Sequence, residues 1–187
     1  MDLIENAFNS VRRENFVPHS LRNQSHVDAP LPIGFGQTIS QPSTVKHMLK
    51  WLDARPNQKI LDIGSGSGWT SALLSKIIEP NGKVFTVERI PELVKIGREN
   101  CENIGIKNVI FFQAKKEYGL PDNSPYDRIL VSASSNTFPK EILKQLKSDG
   151  KLIIPVKNDI LEITKKTDDN YSTITHPGFI FVPLIKN

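Results

Sequence analysis

Residues 60–68 read Ile-Leu-Asp-Ile-Gly-Ser-Gly-Ser-Gly, and this stretch decides the fold. A short apolar run that contains one acid is typical of a buried parallel strand, and it leads into three glycines spaced two residues apart. A hydrophobic helix is predicted to follow from Trp69 to about Ile78. Glycine lets a backbone turn tightly and approach a ligand closely, and the free N–H groups of the next helix point into the turn. The stretch therefore predicts a nucleotide-binding site.

The spacing of the glycines indicates which nucleotide the turn binds. The dinucleotide pattern Gly-x-Gly-x-x-Gly would need a glycine at the position of Trp69. A phosphate-binding loop would need Gly-Lys-Ser or Gly-Lys-Thr, but Gly68 is followed by Trp-Thr. The remaining pattern, Asp-x-Gly-x-Gly-x-Gly in residues 62–68, resembles that of class I S-adenosylmethionine-dependent methyltransferases. A glycine-rich turn that binds nothing stays open as the alternative.

Length and composition are those of an ordinary globular protein. The chain has 187 residues, 38% hydrophobic and 24% charged, with a net charge of +4 at pH 7, so we expect a single domain. The basic residues are not interleaved with aromatic side chains, so we expect no nucleic-acid partner. The N-terminal residues do not resemble a signal peptide, and no stretch reaches the ~20 apolar residues of a membrane span. We therefore expect a cytoplasmic protein without membrane contact, and a monomer.

The cysteine and histidine residues give no sign of a metal site. Cys101 is the single cysteine, which excludes an intramolecular disulfide and a cysteine-rich metal site, and we expect its thiol to be buried and inert. The histidines are scattered without metal-ligand spacing at positions 19, 26, 47 and 176. We expect no bound metal.

Residues 1–57 are predicted to form helices and an ordered loop. Asp2 can cap a helix that ends near residues 12–13, where cations suit the helix C-terminus. Residues 28–42 contain three prolines and two glycines, which exclude a regular helix or a central strand. The loop is nevertheless apolar, so we interpret it as a lid or pocket wall, with a proline-rich connector as the alternative. Pro42 suits the first position of a second helix.

Residues 58–156 alternate between strand and helix patterns. After the first strand, further strands are predicted at residues 83–87, 108–112, 127–133 and 150–156, and the helices between strands at residues 69–78, 91–105 and 139–147. This alternation predicts an α/β fold with a doubly wound, mostly parallel, Rossmann-like sheet and right-handed crossovers. Residues 157–187 are predicted to add antiparallel strands, at 160–164 and 172–184.

Ligands of such a sheet bind at the C-terminal ends of the strands. The first strand delivers the glycine turn to this edge, and the second delivers Glu88. The Glu88 carboxylate can accept hydrogen bonds from both hydroxyls of an unphosphorylated ribose, or it is only an exposed strand-end acid. Asp62 lies inside the first strand, where an unpaired charge is costly. We expect Asp62 either to order the glycine turn by accepting backbone N–H bonds or to face the cationic end of a cofactor.

Six stretches of the chain resemble the protein L-isoaspartyl (D-aspartyl) O-methyltransferases. The most specific is Pro-Leu-Pro-Ile-Gly-Phe-Gly-Gln-Thr-Ile-Ser-Gln-Pro at residues 30–42, which methyltransferases at large do not share. The others lie at residues 61–68, 87–93, 125–127, 146–155 and 181–184. They follow the family's order and cover nearly the whole chain.

The resemblance implies an enzyme that uses S-adenosyl-L-methionine to methylate the free α-carboxylate of L-isoaspartyl residues in damaged proteins or peptides. This reaction starts their repair and leaves S-adenosyl-L-homocysteine. The family's active-site serine corresponds to Ser40, although the residues alone also allow Ser40 to cap the helix that begins at Pro42. The implied substrate-binding residues are Ile39, Ser40 and Val182. The implied cofactor-binding residues are Thr38, Ser40, Asp62, Gly64, Ser65, Gly66, Ser67, Gly68, Glu88, Arg89, Ala114 and Lys115.

The chain departs from the family's pattern in three places. Lys115 replaces an Asp that in the family can accept a hydrogen bond from the adenine amino group. An ammonium only donates, so either Glu117 or a backbone carbonyl takes this role, or the amino group stays unpaired and the cofactor binds more weakly. Residues 132–136 replace an alanine-rich stretch, and the sequence ends three residues past Leu184. Two alternatives therefore stay open: a methyltransferase of the same fold with another substrate, and a non-catalytic protein that binds S-adenosylmethionine.

Overall fold

The computed structural model describes residues 2–167 and 169–186, which form five α-helices and nine β-strands. The helices are α1 (Leu3–Ser10), α2 (Pro42–Leu52), α3 (Trp69–Ile77), α4 (Pro91–Asn103) and α5 (Lys140–Leu143). The strands are β1 (Leu31–Gly34), β2 (Gln37–Ile39), β3 (Lys59–Ile63), β4 (Lys83–Glu88), β5 (Val109–Gln113), β6 (Tyr126–Val131), β7 (Leu146–Val156), β8 (Asp159–Lys165) and β9 (Tyr171–Pro177).

Seven strands form one sheet in the order β5-β4-β3-β6-β7-β8-β9. The strands from β5 to β7 pair in parallel, and β8 and β9 are antiparallel to their neighbours. Parallel neighbours need crossover connections, which the helices of this half provide. The predicted doubly wound, mostly parallel sheet with C-terminal antiparallel strands is confirmed. β1 and β2 form a separate antiparallel hairpin, so the proline-rich loop contains a short strand pair outside the main sheet.

Both faces of the central strand β3 are buried. Ile60 and Leu61 are each 0% exposed but belong to two different hydrophobic clusters, because successive strand residues point to opposite faces. The cluster around Ile60 includes residues of the four longer helices, and the cluster around Leu61 includes α5. A strand covered on both faces needs an apolar run rather than an alternating pattern, which is what the sequence shows.

The N-terminal segment differs from the sequence-based prediction. α1 begins after its N-cap Asp2, whose side chain accepts the N–H of Ile4, but it ends at Ser10. Arg13 instead starts a short 3-10 turn, Arg13–Phe16, and is only 7% exposed. The prediction that the helix ends near residues 12–13, with cations at its C-terminus, is therefore wrong, because the Arg13 guanidinium donates to carbonyl groups of residues 25–40 instead.

Two boundaries in the C-terminal half also differ. β7 begins at Leu146 rather than at residue 150, and α5 is correspondingly short. The Lys165 ammonium donates to the carbonyl oxygens of Leu143 and Leu146, where α5 ends and β7 begins. β9 ends at Pro177 rather than at residue 184. Gly178 follows with φ +91°, and this turn directs the remaining residues back along the sheet toward the carboxyl end of β6.

Candidate active site

A cleft lies at the carboxyl ends of β3, β4 and β6, between the β1–β2 hairpin and the residues after β9. It encloses about 1020 Å³ of space, including its open mouth. Twelve of the predicted site residues line it: Thr38, Ile39, Ser40, Gly64, Ser65, Gly66, Ser67, Glu88, Arg89, Ala114, Lys115 and Val182. The other two, Asp62 and Gly68, do not line the cleft.

The glycine turn has a backbone that larger residues would strain. Gly66 has φ +51°, and a Cβ added there would lie 3.0 Å from Cδ1 of Ile33 in the hairpin. Gly68 has φ +93°, and a Cβ there would lie 2.9 Å from the carbonyl oxygen of Gly97 in α4. Gly66 thus lets the hairpin pack over the turn, and Gly68 lets the start of α3 approach α4 closely beneath it.

Glu88 holds the glycine turn in place. Its Oε2 accepts the N–H of Gly66 at 3.0 Å, and its Oε1 accepts the N–H of Ile90 at 2.9 Å. The residue is only 8% exposed, yet it lines the cleft. Each carboxylate oxygen has two acceptor positions, so one on each oxygen is left after these bonds. Glu88 can therefore order the turn and accept a ligand hydroxyl at the same time.

Asp62 does not have the predicted role of ordering the turn. It is 0% exposed, and its Oδ2 accepts the hydroxyl of Ser71 at 2.5 Å, not a backbone N–H of the turn. Its Oδ1 has no hydrogen-bond partner among the described residues. Burial raises the pKa of Asp62 to about 7, although the Ser71 hydrogen bond opposes this and the nearby Glu88 adds to it. Asp62 lies beneath the cleft as part of a buried polar cluster with Ser71 and Thr86.

Ser40 follows β2 and lines the cleft, with its side chain half-buried. It does not cap α2, because the N-cap position is Gln41 and no side chain of that residue caps the helix. The N–H of Ser43 in the first turn donates instead to Oδ1 of Asp28 at 2.8 Å. The alternative role of Ser40 as a helix cap is therefore wrong, since Asp28 supplies that acceptor.

The loop after β5 forms the far wall of the cleft. Its residues 114, 115 and 117–119 line the cleft, and the N–H of Ala114 donates to the carbonyl oxygen of Glu88 at 2.8 Å. The Lys115 ammonium lies 3.4 Å from Oδ2 of Asp122, and both side chains are more than 70% exposed. Lys115 and Glu117 both line the cleft. The sequence indicated this wall because Ala114 and Lys115 were predicted site residues, but nothing in the sequence predicted that Tyr118 lines the cleft.

The residues after β9 reach the cleft as well. Residues 182–186 line it, and they are fixed beside the end of β6 because Ser134 donates its N–H to Val182 and accepts the N–H of Leu184, both at 2.8 Å. The Lys186 ammonium pairs with Glu141 at 2.7 Å and lies 4.5 Å from the Tyr118 ring centre. Of these residues only Val182 was predicted, because strand patterns do not show where an irregular segment folds back.

No group of three or more His, Cys, Asp or Glu side chains in residues 2–167 and 169–186 is placed to hold a metal ion. None of the described helices is long and apolar enough to cross a membrane.

Residues 1–187 match the family model described as protein-L-isoaspartate(D-aspartate) O-methyltransferase. A protein-L-isoaspartate O-methyltransferase from Pyrococcus horikoshii is 43% identical over 187 residues, which cover 97% of this chain and 84% of that protein. One from Methanopyrus kandleri is 42% identical, with 97% of this chain and 83% of that protein covered.

Two solved structures cover the whole chain. One is a protein-L-isoaspartate O-methyltransferase with 29% identity and a TM-score of 0.89, and this chain spans 62% of its length. The other is a candidate enzyme of the same name from Plasmodium falciparum in complex with S-adenosyl-L-homocysteine, with 28% identity, a TM-score of 0.88 and 92% of its chain covered.

Proposed function

The chain belongs to the protein-L-isoaspartate(D-aspartate) O-methyltransferase family, and from this premise we propose that its cleft methylates the free α-carboxylate of L-isoaspartyl residues. The substrates are damaged proteins or peptides, and the methyl ester starts their repair through a succinimide. The observation that carries the proposal is that Ser40 and the glycine turn line one and the same cleft. A donor and an acceptor of a methyl group need such a shared space.

The residues of the cleft fit S-adenosyl-L-methionine. The carboxylate of Glu88 keeps one acceptor position on each oxygen for the ribose hydroxyls, and the buried hydroxyl of Ser65 has no hydrogen-bond partner among the described residues. When bound, the cofactor supplies a methyl group that its sulfonium has already activated. The residues that would hold it are Thr38, Ser40, Gly64, Ser65, Gly66, Ser67, Glu88, Arg89, Ala114 and Lys115. Gly68 would act beneath them by shaping the turn, and Asp62 lies beneath the cleft in its buried polar cluster with Ser71.

The substrate needs little chemical activation from the protein. A carboxylate with a pKa near 4 is ionised at neutral pH, so its oxygen attacks without a general base. The hydroxyl of Ser40 can donate a hydrogen bond that orients this carboxylate, with Ile39 and Val182 beside it. Correct alignment and exclusion of water by the hairpin can supply several kcal/mol of the rate enhancement. Among the described residues that line the cleft there is no His/Asp or Cys/His pair, and this mechanism needs none.

The remaining expectations belong to the same proposal. We take residues 1–187 as one domain that acts as a monomer in the cytoplasm, with isoaspartyl peptides rather than nucleic acid as partners. The dispersed basic residues support the exclusion of nucleic acid.

A methyl-transfer assay with radiolabelled cofactor tests the proposal. The acceptor is an L-isoaspartyl peptide, and the control is the same peptide with an ordinary aspartyl residue. We expect transfer to the isoaspartyl peptide alone. Equal transfer to both peptides would indicate another substrate class, and cofactor binding without transfer to either would indicate a non-catalytic protein.

A further inference from the structure

One buried guanidinium fixes the base of the hairpin that carries Ser40. Nη2 of Arg13 donates to the carbonyl oxygen of Ala29 at 2.7 Å and to that of Ser40 at 3.1 Å. Nη1 donates to the carbonyl oxygens of Ser25 and Val27, at 3.0 and 3.1 Å. All four acceptors are backbone atoms of the segment that leads into and out of the hairpin.

The two bonds of Nη2 join the strands at the point where the hairpin closes. Ala29 lies two residues before β1, and Ser40 directly follows β2, whose first cross-strand pair at this end is Leu31 with Ile39. At the other end of the hairpin, Phe35 is 52% exposed. The hairpin is therefore held at its base and open at its tip.

The same guanidinium also contacts the cofactor side of the cleft. Its central carbon lies 5.5 Å from the ring centre of Trp69, the first residue of α3 directly after the glycine turn. Trp69 is only 3% exposed and donates its indole N–H to the carbonyl oxygen of Val11. Arg13 thus lies between the turn that would hold the cofactor and the backbone of Ser40.

We propose that Arg13 is a positioning residue for the methyl transfer, because it sets the distance between Ser40 and the glycine turn. The proposal rests on the proposed function, in which Ser40 orients the substrate carboxylate. Arg13 itself does not line the cleft, so it acts only through the hairpin. Its role has a mechanical basis: in-line transfer depends on the placement of the acceptor oxygen, and displacement of a reacting group by about 1 Å can cost on the order of 100-fold in rate.

A lysine cannot replace this contact. The guanidinium directs its donors in a fixed planar fork and stacks on an aromatic ring, whereas an ammonium is a compact charge with three donors. The hydrogen bond from the N–H of Ser43 lowers the pKa of Asp28, so its carboxylate stays charged. Asp28 lies near enough to Arg13 to favour a cation at this position. Arg13→Lys therefore keeps the positive charge but loses the planar arrangement of donors and the stacking on Trp69.

The test compares Arg13→Lys with Arg128→Lys. Arg128 is the matched control because its guanidinium also donates to two backbone carbonyls, those of Asp53 and Asp127, at the opposite edge of the sheet from the cleft. We expect Arg13→Lys to lower kcat on isoaspartyl peptide about 10- to 100-fold with cofactor Kd within a few-fold of wild type. Arg128→Lys should leave both unchanged.

A double-mutant cycle separates positioning from a merely structural role. If Arg13 acts through Ser40, the fall in kcat caused by Arg13→Lys should be much smaller in a Ser40→Ala background than in wild type. Additive effects on kcat, an equal loss of cofactor affinity, or a variant that does not fold by circular dichroism would each contradict the proposal. An active wild type with unchanged kcat in Arg13→Lys would also overturn it, whereas an inactive wild type would overturn the proposed function itself.

Discussion

The Glu88 carboxylate accepts the backbone N–H of Gly66 at 3.0 Å, so the residue at the end of β4 holds the turn that follows β3. The second oxygen of the same carboxylate accepts the N–H of Ile90. One side chain therefore shapes the cofactor turn, fixes the start of α4 and faces the cleft. Its substitution should affect both the free protein and the cofactor complex.

Glu88→Gln should weaken cofactor binding. The amide of glutamine has one acceptor oxygen, so the N–H of either Gly66 or Ile90 loses its acceptor and meets an N–H₂ group. Leaving a buried donor unsatisfied costs about 1–3 kcal/mol, which corresponds to roughly 5- to 150-fold in cofactor Kd if the turn must be restored on binding. Isothermal titration calorimetry measures this, with the exposed Glu92→Gln as control. Unchanged affinity in Glu88→Gln would exclude Glu88 from the cofactor site.

Ser40→Ala should reduce methyl transfer without destabilising the protein. Its hydroxyl makes no hydrogen bond within the described part of the chain, and the first turn of α2 is capped by Asp28. We therefore expect a lower kcat, a cofactor Kd within a few-fold of wild type and an unchanged Tm. Asp28→Ala is the contrasting variant and should lower Tm. A fall of Tm in Ser40→Ala that matches that of Asp28→Ala would show that the serine is structural.

Asp62→Asn should change how stability depends on pH. Burial raises the pKa of Asp62 from 3.8 to about 7, so between these values the folded state binds a proton that the unfolded state lacks. The contribution of Asp62 to stability is thus fully present below about pH 4 and is lost as the pH rises through about 7. Asparagine does not titrate. The free energy of unfolding of the variant, relative to that of wild type, should therefore rise across this pH window by an amount on the order of a few kcal/mol.

Urea denaturation at pH 4, 6 and 8 checks this expectation for Asp62. Asp127→Asn is the control, because partial burial would raise the pKa of Asp127 but the hydrogen bond from Lys147 and the N–H of Lys59 lower it. That variant should show no gain with rising pH. A difference between Asp62→Asn and wild type that is independent of pH would mean that Asp62 is already ionised in the fold.

Lys115→Asp should tighten cofactor binding several-fold. The ammonium can only donate, whereas a carboxylate can accept a hydrogen bond from an adenine amino group in the same part of the cleft. The pair that Lys115 forms with Asp122 is exposed, so its loss costs only about 0–1 kcal/mol. Lys116→Asp is the matched control, because it makes the same change of charge at an exposed neighbour that does not line the cleft.

Calorimetry on both lysine variants distinguishes two mechanisms. Tighter binding in Lys115→Asp alone supports a specific acceptor for adenine. Equally tighter cofactor binding in both variants would mean that the effect comes from long-range charge alone. Tight wild-type binding with Lys115→Asp neutral or harmful would mean that Glu117 or a backbone carbonyl already serves as the acceptor.

The sequence predicted the parts of the molecule that depend on local pattern. The alternation of strand and helix patterns over residues 58–156 predicted the parallel sheet, the glycine turn predicted the cofactor, and residues 30–42 predicted the family and the reaction class, all of which are confirmed. Asp62 lies inside the strand as predicted, but its expected acceptance of backbone N–H bonds from the turn was wrong, because it accepts the hydroxyl of Ser71 in the next helix and no pattern links the two.

The contacts that the sequence did not show join residues far apart along the chain. Arg13 bonds to a carbonyl 27 residues away, and Glu88 to an amide 22 residues away. A basic residue near a helix end has the same local pattern whether it is solvated or buried. Arg13 is enclosed by the Trp69 ring and by the carbonyl groups of residues 25–40, which are distant in the sequence.

Mass-spectrometric analysis of an isoaspartyl peptide after incubation with the protein and S-adenosyl-L-methionine tests the central claim most directly. The account predicts one methyl ester on the α-carboxylate of the isoaspartyl residue, its conversion to a succinimide, and no methylation of the aspartyl twin. A methyl group on any other atom, or equal methylation of the twin, would contradict the account.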